Sequence, residues 1–293
     1  MNKAFFKYIF ALLLFGSNGI VASRIDLNSY EIVLLRTLIG SLLLIAIFFL
    51  SRGKLTFWEH KKDFAFLAVS GIAMGTSWMF LYEAYAQIGV SIASLCYYCG
   101  PVIVMILSPL LFKEKLTLPK MIGFLAVLVG IVFVNGFGAA AANRFGLLCG
   151  LASAVMYAFM VIFNKKAAAI TGLENSTLQL LIAFAAVAVF VGFKQGFEID
   201  IPMGSVLPIF VLGLLNTGIG CYLYFSSIGK IPVQTVAICG YLEPLSAVLF
   251  SVVFLGETLL PLQVVGAVLI IGGAVCGECI QVPIEKTNEG KHK

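Results

Sequence analysis

Ten stretches of predominantly apolar residues divide the chain, and short polar segments separate them. The stretches cover residues 5–23, 30–51, 63–83, 90–112, 119–137, 145–164, 175–194, 205–226, 233–255 and 262–280. A helix needs about 20 apolar residues to cross the hydrocarbon core of a bilayer. The pattern therefore predicts an all-α integral membrane protein with ten transmembrane helices.

The composition supports this fold class. Of the 293 residues, 61% are hydrophobic and 11% are charged, whereas soluble domains contain about 25% charged residues. No polar segment is long enough to form a soluble domain. The formal net charge of +5 therefore does not indicate nucleic-acid binding, and membrane lipid is the expected surrounding.

The Lys and Arg residues are distributed unequally between the two sides of the membrane. When alternate loops are assigned to alternate sides, fifteen of the 19 fall on one side, and only Arg24, Arg144 and Lys194 fall on the other. Arg36 lies inside a span. Positively charged loops remain in the cytoplasm, so both termini are predicted to be cytoplasmic, with residues 283–293 as a disordered tail.

The second half of the chain repeats the first at an offset of 143 residues without a gap. Similarity at a fixed offset is the mark of an internal repeat, and the predicted units are residues 1–140 and 141–282. The matched pairs include Cys96/Cys239, Tyr98/Tyr241, Pro101/Pro244, Glu114/Glu257, Gly123/Gly266 and Gly130/Gly273.

Each repeat contains five predicted spans, and five is an odd number. The second repeat therefore enters the membrane from the side opposite to the first. This inverted-topology arrangement is the plan of many secondary transporters, in which two similar halves open a central site alternately to each side.

The duplicated proline segments, in which Pro101 precedes Glu114 and Pro244 precedes Glu257 at the same spacing, resemble the EamA-type branch of the drug/metabolite transporter superfamily. Segment 82–95 and the duplicated ten-span plan share this resemblance, which covers the whole chain. It implies a secondary transporter, frequently an exporter of amino acids or other small metabolites, in the cytoplasmic membrane of a bacterium. It also implies a cavity framed by the first four helices of each repeat, with the fifth helices at the periphery.

Aromatic side chains recur at helical spacing in the third, fourth, sixth and ninth spans. Such faces can stack on an amphipathic solute or bind a cation. Alternatively, they fill helix contacts or lie at the membrane interfaces. The candidate solute-binding aromatics are Trp78, Tyr82, Tyr98, Tyr157 and Tyr241.

Polar side chains are costly inside a membrane, and they mark solute pathways or helix contacts. Arg36 cannot lose its proton, so it needs a partner or a water-filled vestibule. It either anchors a solute carboxylate or ties helices together. Glu83, at the outer end of the third span, either pairs with Arg36 or extends into water. Asn18 is a further candidate wall residue, although an amide in a span often forms hydrogen bonds between helices.

Glu243 is the charged residue of the ninth span, and its repeat counterpart is Gly100. Glu243 and Tyr241 lie about 200° apart around a helix, so only one of them can face a narrow cavity squarely. Either Glu243 faces the cavity and binds an amine or a proton, or Tyr241 does so and Glu243 is a neutral, hydrogen-bonded packing group.

Pro101 and Pro244 are predicted hinges. Each removes an amide donor and frees the carbonyl four residues earlier, that of Tyr97 or Gly240. Irregular backbone at membrane depth is tolerated where it is buried or lines a cavity.

Other function classes lack support in the sequence. There is no G-x-x-x-x-G-K-[ST] phosphate loop, so ATP is not the direct energy source. The two histidines, His60 and His292, lie in polar segments, and no metal site, cofactor site or catalytic constellation is predicted.

We therefore expect a transporter rather than an enzyme, acting as a monomer or a homodimer. Its partner is a small organic solute, an amino acid or an amphipathic amine, and a proton is a candidate coupling ion. Export is favoured by the resemblance alone. The alternatives are uptake of an amino acid or a quaternary amine by the same fold, and a receptor or structural subunit without transport activity.

Overall fold

The computed structural model describes residues 3–88, 93, 96–114, 116–135, 143–255 and 260–279. The regular structure within these residues is helical, without a β-strand. Seven helical segments are long and apolar enough to cross a membrane, and three shorter apolar helices accompany them. The chain is a multi-pass membrane protein. Glu257 and the predicted tail 283–293 lie outside the described residues.

The helices lie on the predicted apolar stretches. The first half contains α1 (Lys3–Gly16), α2 (Asn18–Ala22), α3 (Ser29–Leu50), α4 (Lys61–Ile88), α5 (Cys99–Phe112) and α6 (Leu118–Asn135). The second half contains α7 (Arg144–Lys166), α8 (Gly172–Lys194), α9 (Met203–Val211), a π-helical segment (Leu212–Ile219), α10 (Gly220–Ile228), α11 (Val233–Cys239), α12 (Leu242–Leu255) and α13 (Pro261–Cys279).

The first predicted span is interrupted at Ser17, between α1 and α2. The side-chain amide of Asn216 donates to the carbonyl oxygen of Leu14 and to the hydroxyl of Ser17, both at 2.8 Å. These bonds satisfy polar groups that the interruption leaves in an apolar environment. Asn18 consequently begins a new helix at this depth.

The ninth predicted span is interrupted at Gly240 and Tyr241, between α11 and α12. Pro244 lies in the first turn of α12 and Pro101 in the first turn of α5, where a helix needs no amide donor. The prolines therefore begin helices after a break instead of bending continuous ones. The carbonyl of Gly240 is not free as predicted, because it accepts the amide of Glu243 at 3.2 Å.

Helices α6 and α13, the fifth of each half, pack against each other. A Cβ atom on Gly130 would lie 2.7 Å from the carbonyl oxygen of Gly266, and one on Gly273 would lie 2.5 Å from that of Gly123. The two backbones are therefore in contact and run antiparallel. The repeat offset exchanges the two glycine contacts, as an inverted repeat requires.

The other helix contacts also occur in pairs that the repeat offset exchanges. Helix α4 packs on α7 as α10 packs on α1, and α5 packs on α7 as α12 packs on α1. Helices α3 and α8 are counterparts that contact each other. This arrangement leaves a cavity between the two halves, and no described residue of α6 or α13 lines it.

Candidate solute-binding cavity

The cavity between the halves has two adjoining parts that share wall residues. The wider part, which we call the vestibule, has a volume of about 330 Å³ and reaches Ala22, Ser23 and Tyr85, at span ends that the charge pattern predicts to be outer. The narrower part, the deep compartment, has a volume of about 50 Å³. The residues that line both parts are Phe15, Asn18, Arg36, Trp78, Tyr97 and Glu243.

Arg36 is buried in this wall, with 3% of its surface exposed. Its Nε donates to Thr217 Oγ1 at 2.9 Å, and its Nη1 donates to the hydroxyl of Tyr82 at 3.3 Å. The guanidinium carbon lies 4.6 Å from the ring centre of Trp78, within the range of a cation–π interaction. Three side chains thus hold the guanidinium in place beside the cavity.

Arg36 has no acidic partner in contact among the residues that the structure describes. Glu83, the candidate partner, pairs instead with Lys194 at 3.7 Å and accepts a hydrogen bond from Gln87 at 3.0 Å. Of the two alternatives for Glu83, the pair with Arg36 is not formed in this structure. The positive charge of Arg36 is therefore available to a solute in the cavity.

The π-helical segment supplies the hydrogen-bond partner of Arg36. Thr217 Oγ1 donates to the carbonyl of Leu212 at 2.8 Å and accepts from Arg36. π-Helical turns are rare and occur frequently at functional sites. Sequence reasoning missed Thr217, because a hydroxyl in an apolar span commonly bonds to its own helix and no residue pattern marks a π-helical turn.

Glu243 lines both parts of the cavity and belongs to the half opposite Arg36. Within the described part of the chain, its carboxylate has no hydrogen-bond donor and no cation in contact. Of the two alternative orientations for the ninth span, the structure has the one in which Glu243 faces the cavity.

Tyr241 lies outside the wall of this cavity, contrary to its selection as a lining residue. It is fully buried, and its hydroxyl donates to the carbonyl oxygen of Tyr98 at 2.7 Å. Its ring centre lies 6.2 Å from that of Tyr98 and 6.4 Å from that of Phe124. The two tyrosines are repeat counterparts, and only Tyr98 lines the vestibule, because the cavity opens to one side only.

The remaining predicted residues lie on the wall. Tyr82 and Tyr98 line the vestibule, and Tyr157 lines the deep compartment, where its hydroxyl lies 3.5 Å from that of Tyr224. The Oδ1 atom of Asn18 is shielded from solvent and has no hydrogen-bond partner among the described residues. An unsatisfied acceptor costs free energy, so a donor group of a solute would be stabilised there.

Several wall residues were not selected from the sequence. Some of them could have been found by applying the repeat offset to residues of the third span. Tyr224 and Phe225 are the counterparts of Leu81 and Tyr82, which line the vestibule. The unselected aromatic residues of the wall are Phe15, Tyr85, Tyr97, Tyr224 and Phe225.

The opposite side of the deep compartment is closed by polar contacts. Glu114 accepts hydrogen bonds from the backbone amides of Val233 at 2.8 Å and Gln234 at 3.1 Å, so it caps a helix of the other half. Lys165 donates to the carbonyl of Ile231, which ties α7 to the segment before α11. The structure is therefore open at one end and closed at the other.

In comparisons with known proteins, one family matches both halves of the chain. The model of the EamA-like transporter family matches residues 2–136 and residues 144–276. The uncharacterized transporter YxxF of Bacillus subtilis (strain 168) is 25% identical over 276 residues, 93% of this chain and 88% of the relative. The threonine/homoserine exporter RhtA of Escherichia coli (strain K12) is 26% identical over 244 residues, 82% of this chain and 79% of the exporter.

The fold also resembles that of a solved crystal structure. The TM-score is 0.82 at 20% sequence identity, and the similarity covers 95% of this chain and 98% of the other. At this identity the likeness concerns the fold alone.

Proposed function

Since the chain belongs to the EamA-like transporter family, we propose that it is a secondary transporter that exports a small amino acid or amphipathic amine across the bacterial cytoplasmic membrane. In this proposal two inverted five-helix repeats open the cavity alternately to each side, and both termini are cytoplasmic. The antiparallel contact of α6 with α13 and the bias of Lys and Arg towards one side support the arrangement.

The observation that carries the proposal is the presence of Arg36 and Glu243, a basic and an acidic side chain, on the wall of one cavity. Neither forms an ion pair with a residue that the structure describes. A charge within a membrane protein needs water, a partner or a charged solute to compensate it. The described contacts of the guanidinium use Nε and one donor of Nη1. Its other donors suit a carboxylate, which arginine binds through two parallel hydrogen bonds.

The acceptors on the same wall suit an ammonium group. The carboxylate of Glu243 and the Oδ1 atom of Asn18 are acceptors without a partner among the described residues. Trp78 and Tyr97 line the same space, and aromatic faces attract cations. A zwitterion compensates both charged side chains, whereas an amine compensates only Glu243, so an amino acid is the better match.

Export is supported by the similarity to RhtA, which is named a threonine/homoserine exporter. A proton is the proposed coupling ion, because the carboxylate of Glu243 can bind either a proton or an ammonium group. Uptake is the second candidate. An outward-open cavity occurs in both directions of transport, so the gradients imposed in the flux test decide between them.

The test is solute flux in proteoliposomes with a set of amino acids, each compared with its decarboxylated amine and its deaminated acid. We expect the amino acid to be transported faster than either analogue. Arg36→Lys should reduce amino-acid flux more than amine flux, because lysine lacks the planar fork. Glu243→Gln should abolish the pH dependence of flux. Imposing the solute and proton gradients in each direction distinguishes export from uptake.

Thr37→Val is the control, because the Thr37 hydroxyl donates only to carbonyls of its own helix, Val33 at 2.8 Å and Leu34 at 3.0 Å. Flux that is unchanged in both Arg36→Lys and Glu243→Gln would show that these charges do not bind the solute. Failure of folded protein to transport any solute of the set would favour a receptor or structural role.

A further inference from the structure

A third space lies on the inner side, the side predicted to be cytoplasmic. This inner void has a volume of about 60 Å³, and Asn164, Lys165 and Lys230 contribute to its wall. Phe225 lines both the inner void and the deep compartment, so it forms part of the wall between them. The vestibule, the deep compartment and the inner void therefore follow one another between the helices.

Phe225 is well placed to act as a barrier. Its side chain is buried, with 3% of its surface exposed. Its ring packs edge-on against that of Tyr224, with 5.0 Å between the ring centres. Its ring therefore lies between the deep compartment and the inner void.

The repeat offset relates the two ends of the path. The vestibule residues Trp78, Leu81 and Tyr82 correspond to Cys221, Tyr224 and Phe225, which line the deep compartment. Ala22, at the mouth of the vestibule, corresponds to Lys165, which lines the inner void. The residues that line the open outer part of the path thus have their repeat counterparts in the closed inner part.

We propose that Phe225 is the inner gate of the solute path, and that its ring moves aside when the two halves exchange conformations. The deep compartment then joins the inner void, and Cys221 becomes accessible from the inner side, as its counterpart Trp78 is from the vestibule in this structure. The inference rests on the proposed transport function.

The contacts around the gate explain why the inner side is closed here. Glu114 caps α11 across the two halves, and Lys165 donates to the carbonyl of Ile231. The counterpart of Lys165 is Ala22, which has no side-chain donor, so the outer side lacks the corresponding link. The two ends of the path therefore differ in the bonds that hold them shut.

The gate can be tested with Cys221 as the reporter. The other six of the seven cysteines are replaced, and a membrane-impermeant thiol reagent is applied to one side of sealed vesicles of known orientation. We expect Cys221 to react from both sides. Phe225→Leu should raise the inner-side rate and Phe225→Trp should lower it, each by about threefold or more, because side-chain volume sets the opening.

Phe225 lines the same compartment as Cys221, so the ratio of the inner-side rate to the outer-side rate is compared among the variants, and thermal unfolding reports that each variant is folded. Phe159→Trp is the matched control, since Phe159 is 40% exposed on α7 and lines none of the three spaces. Its inner-side and outer-side rates should both equal those of the parent protein. If Phe225→Trp does not fold, the comparison of Phe225→Leu with the parent decides.

Solute flux is measured on the same vesicles. Flux without inner-side labelling of Cys221, or inner-side rates that are equal in Phe225→Leu and in the parent, overturns the gate. An inner-side labelling rate that falls as the side chain at position 225 becomes larger supports the gate. If the same vesicles transport no solute of the set, the absence of flux contradicts the proposed function, and the labelling still supports the gate.

Discussion

The hydroxyl of Tyr241 donates a hydrogen bond of 2.7 Å to the backbone carbonyl of Tyr98, a residue 143 positions earlier. The two tyrosines occupy the same position in the two repeats, yet Tyr98 lines the vestibule and Tyr241 is fully buried. If the halves exchange conformations during transport, we expect the bond to exchange as well, so that in the opposite state the hydroxyl of Tyr98 would donate to the carbonyl of Tyr241.

Tyr241→Phe and Tyr98→Phe are therefore expected to shift the conformational equilibrium in opposite directions. Tyr241→Phe removes the bond seen here, and Tyr98→Phe removes its counterpart in the opposite state. A hydrogen bond contributes about 1 kcal/mol net, so each shift should be about fivefold. The measurement is the outer-side labelling rate of Ala22→Cys in the vestibule. Shifts in the same direction would contradict the exchange.

Thr217→Val is expected to weaken solute binding. The substitution removes the acceptor of Arg36 Nε, and a hydrogen bond to a charged group contributes about 1.5–3 kcal/mol. The dissociation constant of a transported amino acid should rise by about tenfold or more. Ligand-dependent thermal stabilisation of the purified protein measures it. Thr37→Val makes the same change of side chain at a hydroxyl that donates to its own helix and not to Arg36, so it should bind like the parent. Equal effects of the two variants would argue against the role of Thr217.

Gly273→Ala should destabilise the pair of fifth helices. The new Cβ would lie 2.5 Å from the carbonyl oxygen of Gly123, and overpacking of this kind costs about 1–3 kcal/mol. The neighbouring Gly272 has no atom within 4 Å of such a Cβ, so Gly272→Ala should be neutral or stabilising by up to about 1 kcal/mol. Thermal unfolding in detergent compares the two, and equal melting temperatures would show that the close contact is not required.

Glu114→Gln should weaken the closed inner side. A neutral amide leaves one acceptor oxygen for the two backbone amides of Val233 and Gln234, and we expect a loss of about 1–2 kcal/mol. Inner-side labelling of Cys221 should rise accordingly, by about fivefold or more.

Glu31→Gln is the control for this prediction. Glu31 accepts the amide of Asn28 at 3.0 Å within the capping box of its own helix, so the substitution weakens a helix cap without touching a contact between the halves. Its inner-side labelling should match the parent. An increase as large as that of Glu114→Gln would mean that general destabilisation, and not the inner contact, controls access.

The sequence alone was sufficient to locate the helices and the internal repeat. Apolar runs of this length predict helical spans, because the backbone polar groups must be hydrogen-bonded inside lipid. Only a helix or a closed barrel achieves this. Arg36 and Trp78 were found for a related reason, since polar and aromatic side chains are costly or specific inside a span. These signals depend on residue type and spacing along the chain.

Only the tertiary structure decided which side chains meet. The break at Gly240 and Tyr241 changes the direction in which the following residues point, so a helical wheel could not say whether Tyr241 or Glu243 faces the cavity. The partners of Arg36 and Glu83 also depended on packing, because Thr217 and Lys194 lie far away in the sequence. The repeat gives the two halves similar sequences. Counterpart residues nevertheless have different surroundings in this conformation, because contacts between the halves differ at the two ends of the cavity.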